Sequence, residues 1–134
     1  MGFQRIMPPE WAEHEATWIA WPHEPTDWLE KTPAIEWVYT EIVRWLSFSE
    51  RTEILCKDEA LLERASFCLE KARVPKSGYR LHVLANDRSW LRDSAPTAVW
   101  NGSSVEWVRW KFRAWAKYDN FSADQKVPDL VAKV

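Results

Sequence analysis

Three short apolar runs separated by two stretches of helical periodicity restrict this chain more than any other feature of its sequence. Thr17-Trp18-Ile19-Ala20-Trp21 is rich in β-formers and closed by Pro22, so it predicts a buried strand. A proline-rich loop from Pro22 to Pro33 follows. Ile35, Val38, Ile42, Trp45 and Leu46 then recur at helical spacing, with Thr32 as the expected N-cap and Pro33 at the first helical position. Thr52 to Cys56 predicts a second strand. Asp58 caps a second helix whose apolar stripe is Leu61, Leu62, Ala65, Cys68, Leu69 and Ala72, with Lys71 and Arg73 suiting its C-terminus and Pro75 ending it. Tyr79 to Leu84 predicts a third strand. Ala98–Trp100 and Val105–Trp110 flank Asn101-Gly102, the dipeptide best suited to a hairpin turn. This alternation is that of an α/β protein with helices on one side of small sheets, arranged as two copies of a unit of about 60 residues.

Length and composition narrow the class. At 134 residues the chain amounts to about one domain. With 46% hydrophobic and 28% charged residues it has the balance of a folding globular chain, not a disordered one. Arg, Glu or Lys interrupts every apolar stretch well short of the ~18 residues a membrane span needs. Residues Met1 to Glu10 lack the layout of a secretory signal, so the expected location is cytoplasmic. A net charge of -2 argues against a dedicated nucleic-acid binder. Cys56 and Cys68 have no C-x-x-C spacing and read as inert buried thiols in a reducing compartment. Eleven tryptophans against three glycines imply either a thick core or flat surfaces for cations and sugars, and composition does not choose between them.

Chemistry-bearing residues crowd into Asn86-Asp87-Arg88-Ser89-Trp90-Leu91-Arg92-Asp93-Ser94-Ala95-Pro96, a loop after the third strand. Asp87 and Asp93 with an indole between them suit a flat cation. A carboxylate accepts two parallel N–H bonds from a guanidinium while an aromatic face covers its plane. The plainer reading has both acids pairing with Arg88 and Arg92 or capping the turn. Arg109, Lys111, Arg113 and Lys117 alternate with Trp107, Trp110, Phe112, Trp115 and Tyr118, a pattern that suits stacked bases but equally a strand with one charged and one aromatic face. His14-Glu15, His23-Glu24 and His82 lack the spacing of a metal site, so ordinary surface or capping roles are expected of them. A carbohydrate-binding module is the remaining reading of the tryptophans.

Three blocks, Met7 to Pro22, Asn86 to Pro96 and Trp110 to Val127, together resemble the N-terminal part of the agmatine deiminases and the related bacterial-type peptidylarginine deiminases. The resemblance covers nearly the whole chain. It implies a partial α/β propeller (pentein fold) of which residues 1–134 supply about two of five ββαβ-like units, as the N-terminal part of a single deiminase domain cut short at its C-terminus. The activity it implies is hydrolysis of agmatine to N-carbamoylputrescine and ammonia through a covalent Cys intermediate, in putrescine biosynthesis, with peptidylarginine as the alternative substrate and a non-catalytic Trp-rich binding fragment as the alternative role. By match to the motif, Asp93 is the carboxylate that grips guanidinium nitrogens, Trp90 is the indole lining the substrate channel, and Asp87 and Arg92 brace the loop. The nucleophilic Cys and base His lie beyond position 134 in the relatives, and neither Cys56 nor Cys68 matches the nucleophile, so the fragment is expected to be inactive alone. The resemblance implies a small guanidine substrate, no metal or organic cofactor, no nucleic-acid or membrane partner, and homo-oligomers of the parent enzyme. Three positions depart from the pattern: Arg113 stands where relatives carry Asn, and Ala95 and Ala116 where they carry Gly, which predicts altered backbone at those turns.

Overall fold

The computed structural model describes residues 5–133. Strand β1 (Ala16–Ala20), helix α1 (Pro25–Trp28), helix α2 (Thr32–Leu46), strand β2 (Arg51–Cys56), helix α3 (Glu59–Lys71) and strand β3 (Tyr79–Val83) build the first layer pair. The three strands are parallel in the order β1-β2-β3, with Ile19 beside Ile54 and Ile54 beside Leu81. Each crossover steps in the same direction, so right-handed connections put α2 and α3 on the same face of the sheet. Their inward residues Val43, Ala65 and Leu69 close over Ile54, Cys56, Trp21 and Val74 as one buried core.

Local chemistry explains the element ends. Asp58 accepts the Leu61 N–H at 2.9 Å, as an N-cap does. At α2 the expected cap is displaced by one residue: Lys31 holds the cap position, Thr32 is already helical, and no side chain caps the end. Pro33, which has no N–H, leaves one fewer donor in that first turn to satisfy. The loop from Pro22 also contains a turn of helix that periodicity did not announce, α1, where Glu24 takes the Thr26 N–H at 3.2 Å. Gly78 sits where a Cβ would come within 2.4 Å of Ser47 Cβ, so only glycine lets the turn before β3 close against the end of α2.

The opposite face of the sheet carries the candidate site. Ala20 and Leu55 form a second buried cluster with Leu91 of a short helix α4 (Leu91–Ser94) and with Val127 and Val131 of helix α5 (Val127–Val131). Beside it Glu53, nearly inaccessible, accepts from Arg51 Nε at 2.6 Å and pairs with His82 Nε2 at 2.6 Å. The indole of Trp18 stacks on that imidazole, 5.4 Å between centroids. Strands β4 (Thr97–Trp100) and β5 (Val105–Val108) form a separate antiparallel hairpin, shorter on both strands than the sequence suggests. Asn101 Oδ1 accepts the backbone N–H of Ser103 and of Ser104, and Gly102 takes φ 98°, which accounts for the four-residue turn. Ile6 pairs with Trp100 along the hairpin edge. Among the described residues, no helix is long and apolar enough to cross a membrane.

Candidate functional site

The loop after β3 is held from below by reciprocal carboxylates. Asp87 Oδ2 accepts the backbone N–H of Ala123 at 2.8 Å, while Asp124 Oδ1 accepts the N–H of Asp87 at 2.7 Å and of Arg88 at 3.3 Å. Burial pushes the Asp124 carboxyl up from the ordinary range, with the two backbone donors pulling it partway back. Asp87 thus meets backbone and does not pair with an arginine. The exposed Arg92 fork donates to Glu10, at 2.8 Å from Nη1 and 3.0 Å from Nη2, a contact between the loop and the N-terminal segment. That hydrogen-bonded pairing holds the Glu10 carboxyl below its usual value.

Arg88 goes the other way, into the protein. It is 2% exposed, forms an ion pair with Asp27, donates to Asn120 Oδ1 at 2.9 Å, and lies 3.7 Å from the Tyr118 ring centroid. This one side chain joins three loops. Sequence reading named Tyr118 only as one aromatic of an alternating segment and connected none of Asp27, Tyr118 or Asn120 with Arg88. They lie far from Arg88 along the chain, in segments without periodicity, and a buried ion pair leaves no local pattern.

Above this base, one turn of α4 divides its residues. Leu91 and Ser94 point inward and are buried, so Arg92 and Asp93 point outward. Asp93 Oδ1 accepts the indole N–H of Trp115 at 3.3 Å, and Oδ2 accepts no hydrogen bond from the described residues. Asp93 lines an open concavity of ≈ 390 Å³ together with Trp110, Lys111, Phe112, Arg113, Trp115 and Ala116. Trp110 is fixed by donating to Thr97 Oγ1 at 2.9 Å, and Trp115 meets Phe112 edge-on at 5.3 Å. The concavity thus offers a carboxylate oxygen, two indoles and a phenyl ring, a chemical set that suits a flat cation.

Trp90 occupies the cap position of α4, 39% exposed, with its ring against Trp28 at 5.3 Å. The aromatic group bonded to Asp93 is Trp115, which the sequence offered only as one tryptophan in a segment of broken alternation. The segment departs from a strand because Ala114, Trp115 and Ala116 all have positive φ, 45°, 56° and 56°. Ala116, at φ 56°, takes the left-handed conformation that glycine adopts freely and in which a Cβ is strained, whereas Ala95, at φ -75° and ψ 162°, is in extended backbone that any residue adopts.

The remaining candidates have ordinary partners. His23 Nδ1 lies 3.0 Å from the Trp21 carbonyl, His14 faces Glu50 at 3.5 Å, and among the described residues no cluster of His, Cys, Asp and Glu could hold a metal. Arg109 pairs with Asp129 at 2.9 Å, beyond the end of β5, so no continuous strand aligns the basic and aromatic residues into a track. Cys56 is buried, and burial, reinforced by Asp58, pushes its thiol up to about 12. Cys68, expected to be buried, is only partly so, because it sits at the edge of the stripe of α3; partial burial and Glu36 still raise its thiol. Neither thiol is prepared as a nucleophile.

Comparison with known proteins places these features in company. The family model described as Porphyromonas-type peptidyl-arginine deiminase matches residues 6–134. The agmatine deiminase of Ectopseudomonas mendocina is 33% identical over 114 residues, 84% of this chain and 29% of that protein. The agmatine deiminase of Stutzerimonas stutzeri is 29% identical over 129 residues, 95% of this chain and 33% of that protein. The chain thus spans about a third of the length of the curated relatives it matches. Among solved structures, agmatine deiminase of Enterococcus faecalis is similar over 96% of this chain and 35% of that one, with TM-score 0.84 and 21% identity. C. jejuni agmatine deiminase with substrate bound is similar over 97% of this chain and 37% of that one, at TM-score 0.81 and 19% identity.

Proposed function

The chain belongs to the Porphyromonas-type peptidyl-arginine deiminase family, and from that premise we propose that it forms the guanidinium-holding part of a cytoplasmic deiminase that converts agmatine and water to N-carbamoylputrescine and ammonia. In this reading residues 1–134 are the N-terminal part of one deiminase domain of repeated α/β units about a pseudo-fivefold axis. The observation that carries it is the Asp93 carboxylate at the mouth of an aromatic concavity, one oxygen oriented by Trp115 and the other open to a ligand. A guanidinium laid edge-on against Asp93 makes charge-assisted hydrogen bonds while an indole covers its plane. Trp90 packs on Trp28 and is not among the residues lining the concavity, so the indole over the cation falls to Trp110 or Trp115, while Asp87 and Arg92 keep the loop in place.

The reaction needs a thiolate, and neither Cys56 nor Cys68 suits it. The proposal assigns nucleophile and general base to the part of the relatives' length that this chain does not span. There the thiolate bonds to the guanidinium carbon, the C–N bond breaks, and ammonia departs with a proton supplied by the base. Water, deprotonated by the same base, then adds to that carbon, the C–S bond breaks, and the ureido product leaves. Asp93 holds the positive charge on the carbon under attack and fixes its plane.

A second reading is favoured by Lys111 and Arg113, which line the concavity beside Asp93. The far end of agmatine is an ammonium, which two cations repel, whereas an arginine bearing a carboxylate would be drawn to them. Calorimetric titration of the chain with agmatine and with arginine tests both. Asp93→Asn is expected to weaken either ligand at least about tenfold, the loss of one charge-assisted contact. Equal affinity of D93N and the unaltered chain for both ligands would refute the guanidinium assignment, and Arg113→Asn shifting preference from arginine to agmatine would support the second reading.

A further inference from the structure

Three aromatic rings share the concavity with Asp93, and they present themselves differently. Phe112 is 7% exposed, its ring spent on packing against Trp115 and Phe121. Trp115 turns its N–H toward Asp93 Oδ1. An indole N–H lies in the plane of its ring, so the ring extends away from the carboxylate behind its own donor and stands where one N–H of a cation would otherwise bond. Trp115 meets Phe112 and Tyr118 nearly at right angles, 90° and 81°, which fixes it in that edge-on attitude. Trp110 is 61% exposed, and its N–H is engaged away from the carboxylate, on Thr97 Oγ1 at 2.9 Å. Of the three rings, Trp110 has a face free for a cation.

Topology explains why Thr97 holds that ring. Thr97 pairs with Val108 at the open end of the hairpin. Strand alternation carried two residues past Val108 puts Trp110 on the same face as Thr97, within reach of its hydroxyl. Thr97 also follows Asp93 closely, joined to it through Ser94 of α4, Ala95 and Pro96, whose ring fixes its own φ. Carboxylate and indole are thus fastened to one short stretch, residues 93–97. We infer that Trp110 is the indole that covers a flat cation held by Asp93, and that Thr97 is a positioning residue whose hydroxyl sets the plane of that indole. The inference rests on the guanidinium reading of Asp93 and names, within it, the ring that does the covering.

The consequence is selectivity by shape. A guanidinium is flat and lies parallel to an indole face while its N–H groups stay directed at a carboxylate. An alkylammonium carries the same charge as a point, with no plane to match. An indole held at one tilt therefore favours guanidinium over ammonium, whereas an indole free to rotate serves both alike. Valine at position 97 keeps the branched side chain, stiff at χ1, and removes the acceptor. The freed N–H belongs to an exposed ring and turns to water, so the fold loses little. Serine restores the acceptor.

Titration of the chain with butylguanidinium and with butylammonium, which carry the same charge, tests it, with the indole N–H resonances as the readout. The unaltered chain is expected to prefer the guanidinium. Trp110→Ala is expected to weaken butylguanidinium about threefold, the scale of an exposed cation–π contact, and butylammonium less. Thr97→Val is expected to move the Trp110 N–H resonance toward that of a water-bonded indole and to reduce the preference about twofold, and Thr97→Ser to restore both. Circular dichroism checks that each variant keeps its fold, and D93N is the control for the site itself. If D93N weakens both cations while W110A and T97V leave the preference unchanged, the assignment of Trp110 and Thr97 is overturned and the reading of Asp93 stands. A preference lost in T97V that T97S does not restore also overturns the role of Thr97. If D93N alters neither cation, or the unaltered chain binds neither, the guanidinium reading falls and this inference with it.

Discussion

Replacing Asp27 with Asn leaves the Arg88 guanidinium charged and sealed in the protein. The ion pair is inaccessible on both sides, with side-chain exposures of 3% for Arg88 and 4% for Asp27, so solvent screening does not soften the loss. What remains to Arg88 is one neutral acceptor on Asn120 and the Tyr118 face. Breaking one half of a buried pair costs about 3–5 kcal/mol. With a urea m-value near 2 kcal/mol/M, the unfolding midpoint should drop by about 2 M. The double change Asp27→Asn with Arg88→Met removes the stranded charge. It should recover at least half of that loss, because Asp27 Oδ2 and Arg88 Nε lack hydrogen-bond partners and a neutral pair leaves less unsatisfied. Urea unfolding followed by circular dichroism reads both variants. A loss below about 1 kcal/mol for D27N, or a double variant no better than the single, would refute the view that this pair clamps the loop bearing Asp87 and Asp93.

Ala116, at φ 56°, should gain up to about 1 kcal/mol when changed to Gly, the relief of left-handed strain less the entropy glycine adds to the unfolded chain. Ala95→Gly, in extended backbone, should lose about 0.5–1 kcal/mol, and urea midpoints moving in the same direction for both would contradict this. For Glu53, burial pushes the carboxyl up, but the hydrogen bonds from His82 and Arg51 outweigh it and hold it below the usual range. Its folded pKa is thus depressed, so its contribution is present above the unfolded value of about 4.3 and fades as pH falls through the folded one. Thermal melts across the acid range should lose less stability for Glu53→Gln than for the unaltered chain; parallel curves would show that Glu53 does not govern the acid limb.

Much of the scaffold was legible because its causes are local. The stripe from Leu61 to Ala72 and the cap at Asp58 need only neighbours within a turn, and the runs ending at Trp21, Cys56 and Leu84 are bounded by their own prolines and polar residues. The loop motif also singled out Asp93, Asp87 and Arg92, though not the partners each one meets. Hidden from sequence were contacts that the tertiary fold creates. Asp124 reaches Asp87 across 37 positions, Arg88 reaches Asp27 across 61, and Trp115 reaches Asp93 across 22. None of these pairs leaves a periodicity. The positive φ of Ala114 to Ala116, which aims Trp115 at Asp93, falls on residues that normally avoid it, so no glycine marked the turn. Thr32 misled for a related reason: a good capping residue beside a proline is a good helix start in either of two frames.

The proposed guanidinium site rests on the hydrogen bond between Trp115 and Asp93, and the indole N–H of Trp115 reports on it directly. In a nitrogen–proton correlation spectrum of the isotopically labelled chain, Trp115→Phe identifies that resonance. Titrated agmatine or arginine should move it saturably in the unaltered chain and leave it still in D93N. A Trp115 resonance indifferent to both ligands, or one that shifts equally without the Asp93 carboxylate, would contradict the placement of the cation.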